Sequence, residues 1–346
     1  MPRSRPRLVV GIALALAGTA APAAAAPRPG SYGTHLGSHT MLYLNSTAEA
    51  QRALFRASAA AGVRYLRMDF AIGLVFPWGE EDFAAVDRAD ALAAAYGVEV
   101  LGVITTTPWY LAACAGDEAI RCAPAPRYER LWTRMVARVV RRASNVRVWQ
   151  LGNEPDGFGF VGGASEYARW ASLAAAGIRA ARPDATVVLG GLARANEPFI
   201  AQVLHDPAHP LLGVIDVASV HLRGALSALP TAFASARGMF LRQGFDGPLW
   251  VTETGYPSRA EHQWDPAFTR GARDQARWLA RGLRSLVHAG AAAVFVTFRD
   301  TREFGRASPF ASEGVLRWPR LDRDGRARPK PAYWAVRRVA ATPCGC

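Results

Sequence analysis

The sequence predicts an α/β fold, a single (β/α)8 barrel, on three observations. Eight short apolar runs have strand composition, helical stretches between them stop at glycine or proline, and two glutamates, Glu154 and Glu253, close the fourth and seventh runs. Strand, polar loop, helix, stop and strand again is the rhythm of a parallel sheet, because a parallel neighbour can be reached only by a crossover. An open doubly wound sheet is the rival architecture. No glycine-rich phosphate fingerprint follows the first strand and no topological break interrupts the series, so the closed barrel is preferred.

The first strand is expected over 32–36 (YGTHL), ending in His35 with His39 shortly after; a lone histidine there reads as structural. A helix over 48–61 is ended by Gly62, and VRYLRMDF supplies a strand over 63–70. The next helix, over 82–96, stops at Gly97 and feeds a strand over 98–104. Residues 105–127 form the longest loop, with Pro108, Trp109, two cysteines, Pro124 and Pro126; following a strand, it belongs to the face where active sites of this fold lie.

From Tyr128 onwards, Leu131, Trp132, Met135, Val136, Val139 and Val140 recur at helical spacing opposite the arginines, which predicts a helix over 128–143 packed on the sheet. The fourth strand, 146–152, is nearly continuous in apolarity, as a strand covered on both faces requires, and breaks off in Asn153-Glu154-Pro155-Asp156. A helix over 166–182 is stopped by Pro183 and leads to a strand over 186–191. Asn196 is placed to cap a short helix. Strands over 214–221, 249–254 and 292–298 complete the set, the last preceded by a helix over 274–289 with its stop at Gly290.

The chain has 346 residues, 50% of them hydrophobic, enough for one sizeable core, and no segment reads as a linker or an internal repeat. Residues 1–26 resemble a secretory signal: Arg3, Arg5 and Arg7, an apolar run too short to span a bilayer comfortably, then small residues at the A-x-A spacing, with cleavage expected near Ala26. The mature domain, 27–346, is therefore expected to be secreted, with no membrane span, and to act as a monomer. The net charge is +13. That balance would suit an acidic glycan or an anionic surface. Because the positive charge is scattered arginine, with Lys330 the single lysine, no concentrated nucleic-acid footprint appears. In an exported chain four cysteines favour disulfides, and Cys114 with Cys122 would close the loop AGDEAIR; Cys344 and Cys346 are left unassigned.

A carboxylate and a carboxamide at the mouth of a buried strand are costly to bury without partners, so Asn153 and Glu154 are expected to face a ligand-accessible cleft; the plain alternative is a turn with a helix cap. Glu253, in LWVTETGYPS, shifts the balance. It lies 99 residues beyond Glu154, which fits three βα units of about 33 residues and sets both on one face of the barrel. Two carboxylates across a barrel mouth suit glycoside hydrolysis, one protonating the leaving oxygen while the other attacks or activates water. Asp69, Glu154, His221 and Glu253 are also of the residue types that bind a cation, but no ligand spacing such as H-x-H or H-E-x-x-H supports a metal, and no cofactor is called for.

Asn-Glu-Pro ending the fourth strand and a lone glutamate ending the seventh resemble the clan A retaining glycoside hydrolases. GVRYLRMDF with a tryptophan-containing loop, TPWY after the third strand and the C-terminal KPAYWAV are similar to the xylosidase and cellulase-like branches of that clan, and ETGYPS is similar to a turn of β-1,3-glucanases. The resemblance implies Glu154 as acid/base, Glu253 as nucleophile and Asn153 as partner of the sugar 2-hydroxyl. It also implies Arg67 as the cation beside the nucleophile and His221 as a cleft histidine. Two departures stand out: Arg223 occupies the position of an aromatic two residues beyond that histidine, and Phe298 replaces the usual strand-eight tryptophan. Trp78, Trp109 and Tyr256 are candidate sugar platforms. The implied activity is that of a secreted retaining β-glycosidase acting on a polysaccharide or oligosaccharide, with a transglycosidase using the same residues or a non-catalytic carbohydrate or polyanion binder as alternatives.

Overall fold

The structure is a computed structural model that describes residues 31–35, 47–301, 305–321 and 327–342. The expected signal segment with its cleavage site, His39, Cys344 and Cys346 lie outside the described residues. The chain runs β1 (Ser31–His35), α1 (Ala48–Ala60), β2 (Tyr65–Ala71), the single turn α2 (Ile72–Val75), α3 (Ala84–Tyr96), β3 (Glu99–Thr105), α4 (Glu129–Arg142), β4 (Val148–Asn153) and α5 (Ala164–Ala181). It continues through β5 (Thr186–Gly191), α6 (Glu197–Leu204), β6 (Ala218–His221), α7 (Leu229–Arg242), β7 (Leu249–Thr254), α8 (Ala272–His288) and β8 (Ala293–Thr297). A β9 (Leu316–Leu321) and β10 (Ala327–Pro329) hairpin and α9 (Pro331–Ala340) follow.

Eight strands pair in parallel in the order β5-β4-β3-β2-β1-β8-β7-β6. The two outer strands of that series meet as well: Leu189 N donates to Val217 O at 2.9 Å, Leu192 N to Ser219 O at 3.1 Å and His221 N to Leu192 O at 2.8 Å, which closes the barrel. Inside it, Tyr65, Leu101, Val148, Val188, Trp250 and Phe295 form a small core of their own. The larger core lies between the sheet and the helices, where the apolar stripe of α4 buries Trp132, Met135, Val136, Val139 and Val140.

Local signals act where expected. Asn196 Oδ1 accepts from Phe199 N at 3.0 Å and caps α6; Gly97, at φ 62°, ends α3 in the left-handed region that a side chain resists. The sixth strand is shorter than its composition suggests, because 214–217 first turns and then bridges β5 through Val217. Helix α7, not expected from the sequence, completes the alternation and buries Leu229, Phe233, Ala236 and Phe240 at helical spacing. At the C-terminus α9 packs on α8, and Tyr333 Oη donates to Ala57 O at 2.9 Å, tying it to α1.

Candidate active site

Two backbone irregularities set the site. At the end of β4, Gly152 has φ 79° and Glu154 has φ 45°. A left-handed glutamate costs roughly 1–2 kcal/mol and persists only where the surroundings hold it. Glu154 N donates to Gly191 O at 2.9 Å, while its own carbonyl accepts from Gly157 N at 2.9 Å and Gly159 N at 3.1 Å. A Cβ at Gly159 would sit 1.7 Å from Asn153 O, so this turn excludes any side chain there. Asp156 Oδ1 accepts from Ala193 N at 2.8 Å, and Oδ2 from Arg194 N at 2.8 Å and Ala195 N at 2.9 Å, lashing the β4 loop to the β5 loop. Asp156→Ala is expected to lower stability by about 1–3 kcal/mol and to reduce activity through Glu154, because three amides lose a charged acceptor; thermal unfolding and assay of the folded variant check this.

The second irregularity is in β7. Val220 pairs with Val251 but His221 pairs with Glu253, and on the other side Val251 pairs with Val294 but Thr254 with Val296. Thus β7 holds one residue more than either neighbour. Trp250 faces the barrel interior, so strict alternation would send residue 253 outward; the extra residue re-aims Glu253 into the mouth.

The side chains converge there. Arg67, 3% exposed, donates from Nε to Gln150 Oε1 at 2.8 Å, from Nη1 to Glu253 Oε1 at 2.9 Å and from Nη2 to Asn153 Oδ1 at 2.6 Å. With its oxygen taken by Arg67, Asn153 has its Nδ2 hydrogens left to offer a ligand. His221 Nδ1 lies 2.8 Å from Glu154 Oε1 and 3.6 Å from Glu253 Oε2. When Glu154 is ionised this nitrogen donates the proton, and when Glu154 is protonated the same contact can run the other way. Donor atoms of Glu154, His221 and Glu253 all lie within 4.8 Å of one another. Such a trio could be arranged around a cation by type, but Glu253 Oε2 also accepts from Arg223 Nη2 at 3.1 Å, so both its oxygens already face guanidinium groups that repel a metal ion. Asp69 is buried on β2 and stands outside that trio.

The aromatic candidates divide. Trp78 and Trp109, in the loops after β2 and β3, are 78% and 53% exposed and meet edge to face with centroids 5.1 Å apart. They are open to a flat ligand. Tyr256 is not: fully buried, it stacks on Trp278 at 5.0 Å and donates its hydroxyl to Phe268 O at 2.7 Å, so the platform role expected of it is corrected to a packing role. Phe298 is likewise fully buried, facing Tyr333 on the helix side, and cannot form the floor of the cleft. Alternation explains Phe298, whose outward register places it in the outer core. Cys114 and Cys122 are joined by a disulfide in the β3 loop, with Cα atoms 6.2 Å apart.

Three participants escape a reading of the sequence. Gln150, fully buried in β4, orients Arg67 and donates to Ser219 Oγ at 3.4 Å; its signal is a single polar residue at an inward position of an apolar strand. Glu313 enters from the segment after β8 and pairs with Arg223, and no local pattern marks it. Phe158, 81% exposed in the β4 loop, adds a further aromatic near the rim.

No protein-family model and no curated protein matches the chain. Solved structures do. A family 39 glycoside hydrolase from the gut symbiont Bacteroides cellulosilyticus WH2 is similar at 19% identity and a TM-score of 0.64, over 91% of this chain and 64% of that one. An exo-β-1,4-mannosidase from Opitutaceae bacterium strain TAV5 is similar at 17% identity and a TM-score of 0.60, over 90% and 59%. The chain thus spans less than two thirds of the length of either. A fungal β-1,4-galactanase matches at 17% identity and a TM-score of 0.61, over 83% of this chain and 90% of its own. At these identities the likeness is one of fold: the protein shares its (β/α)8 barrel with solved glycoside hydrolases.

Proposed function

We propose that the protein is a secreted retaining β-glycosidase that hydrolyses a polysaccharide or oligosaccharide with Glu154 as acid/base and Glu253 as nucleophile. One observation carries the reading: the two glutamates end β4 and β7 at one mouth of the barrel, with carboxylate oxygens and His221 Nδ1 all within 4.8 Å of each other. Retaining glycosidases hold their carboxyl groups at roughly 5–5.5 Å, whereas inverting ones need about 6.5–9.5 Å to seat a water between them. The solved relatives with this fold that act on β-1,4-linked mannose or galactan lend support to a β-linked substrate. The basic, apolar and small-residue order of residues 1–26, together with the disulfide, supports export.

In the first step Glu253 attacks the anomeric carbon. The bond to the leaving oxygen breaks, and that oxygen takes the proton of Glu154. In the second, water gives its proton to Glu154 and attacks the same carbon, releasing Glu253. Asn153, steadied by Arg67, would donate to the hydroxyl beside the reacting carbon, and the exposed Trp78 and Trp109 faces would stack on flanking sugars. The same rim could hold an acceptor sugar in place of water, which favours transglycosylation as the second reading. The test is NMR of the first-formed anomer from a panel of β-linked oligosaccharides. Retention is expected, longer products would mark transfer, and inversion would sink the nucleophile assignment even if both glutamates proved essential.

A further inference from the structure

Arg223 stands where the resemblance expects an aromatic, and it is built into the site more completely than a chance replacement requires. Its Nη2 donates to Glu253 Oε2 at 3.1 Å, so Glu253 is held on one oxygen by Arg67 and on the other by Arg223. On its far side Glu313 accepts from Arg223 Nε at 2.8 Å and Nη2 at 3.1 Å, a forked pair that fixes the guanidinium plane. The guanidinium also lies over the Phe310 ring at 5.0 Å.

Glu313 is itself anchored. It is 1% exposed, its Oε2 accepts from Thr297 Oγ1 at 2.7 Å, and its backbone carbonyl accepts from Gln275 Nε2 of α8 at 2.9 Å. The neighbouring chain leaves room for it at Gly255, where a Cβ would sit 2.4 Å from Glu313 Cδ. A buried carboxylate is kept only where a cation compensates it. Burial works against the charge on Arg223, but Glu313 and Glu253 outweigh it and raise its pKa above the usual arginine value, so the cation is permanent.

We propose that Arg223, clamped by Glu313, is a positioning residue for Glu253: it fixes the second carboxylate oxygen and supplies a second cation beside the nucleophile. Two guanidinium groups facing Glu253 from β2 and from the chain after β6 offset the negative charge of Glu154 and of Glu313 nearby, with His221 between the two site carboxylates. A carboxylate so flanked is a weaker base and a better leaving group, which favours release of the glycosyl–enzyme ester over its accumulation. This inference rests on Glu253 being the nucleophile.

The test reads Glu253 directly and so does not depend on turnover. Protein labelled with ¹³C at glutamate carboxyls is titrated by NMR, with the Glu253 signal assigned by its loss in Glu253→Gln. In Arg223→Gln the Glu253 midpoint is expected to rise by about one pH unit or more, because an adjacent cation is gone and Glu313 is left uncompensated. Glu313→Gln, which removes a negative charge and keeps the cation, should leave the midpoint no higher than in the parent protein. Arg223→Met, of similar length, carries the same test if Arg223→Gln fails to fold by circular dichroism. An unmoved Glu253 midpoint in a folded variant lacking the Arg223 charge overturns the proposal. On an activated aryl glycoside the two Arg223 variants should show kcat and KM lowered together, by about tenfold or more, with kcat/KM little changed and a burst of aglycone. Loss of kcat without the NMR shift would point to structural support only. Absence of any turnover by the parent protein would count against the glycosidase reading while the titration still decided the pairing.

Discussion

Glu253→Ala is expected to lose essentially all glycoside turnover, by about 10⁵-fold, since removing the nucleophile of a two-step displacement deletes both the attacking atom and the intermediate. The cavity left by the carboxylate lies against Arg67 and Arg223, two cations that would now be unpaired on that side. A small anion has a ready seat there. Added azide should therefore restore cleavage of an activated glycoside, attacking from the emptied face and giving the inverted glycosyl azide, identified by NMR. Rescue with a retained azide would place the nucleophile elsewhere, and full activity without azide would remove Glu253 from the chemistry.

Glu154→Gln is expected to separate substrates by their leaving groups. Natural sugar leaving groups need a proton, and general acid catalysis contributes about 10²–10⁴-fold, so their kcat/KM should fall by that amount. Activated aryl glycosides should lose far less in the first step. Glutamine is isosteric, so the contact between residue 154 and His221 Nδ1 can persist and the fold need not change. Measuring kcat/KM across aryl glycosides of graded leaving-group pKa checks the assignment; equal losses on all of them would rule out the acid/base role.

The outline of the barrel was legible because each element carries its own local instruction. The α4 stripe, the Asn196 cap and the Gly97 stop each act within a few residues, and a period of 3.6 or 2 survives any tertiary context that buries one face. Helix α7 was not named from the sequence: its buried stripe, Leu229, Phe233, Ala236 and Phe240, keeps helical spacing, but Met239 and Leu241 beside it and the small residues between blur its contrast. Among the site residues, Asn153, Glu154 and Glu253 were named from their place at the ends of β4 and β7, and Arg67, which lies within β2, and His221, which ends β6, from the family resemblance; the structure brings all five together. Tyr256, named as an aromatic shortly after Glu253, and Phe298, named from the resemblance, lie in the packed core instead: an aromatic at a loop or strand end can turn either way, and burial of its ring is worth about 2 kcal/mol or more.

The sequence by itself determined the alternation of strands and helices, the loop that Cys114 and Cys122 close and the pair of glutamates a fixed number of units apart, all of them properties of nearby residues or of repeat length. Only the tertiary structure decided that Glu253 faces inward, because the extra residue in β7 exists relative to β6 and β8 and has no meaning within one strand. It alone also decided that Glu313, 60 residues further along the chain, reaches Arg223 and through it Glu253. Such a contact is set by where the chain returns after the barrel closes, and charge pairing over that distance leaves no periodic trace in the order of the amino acids.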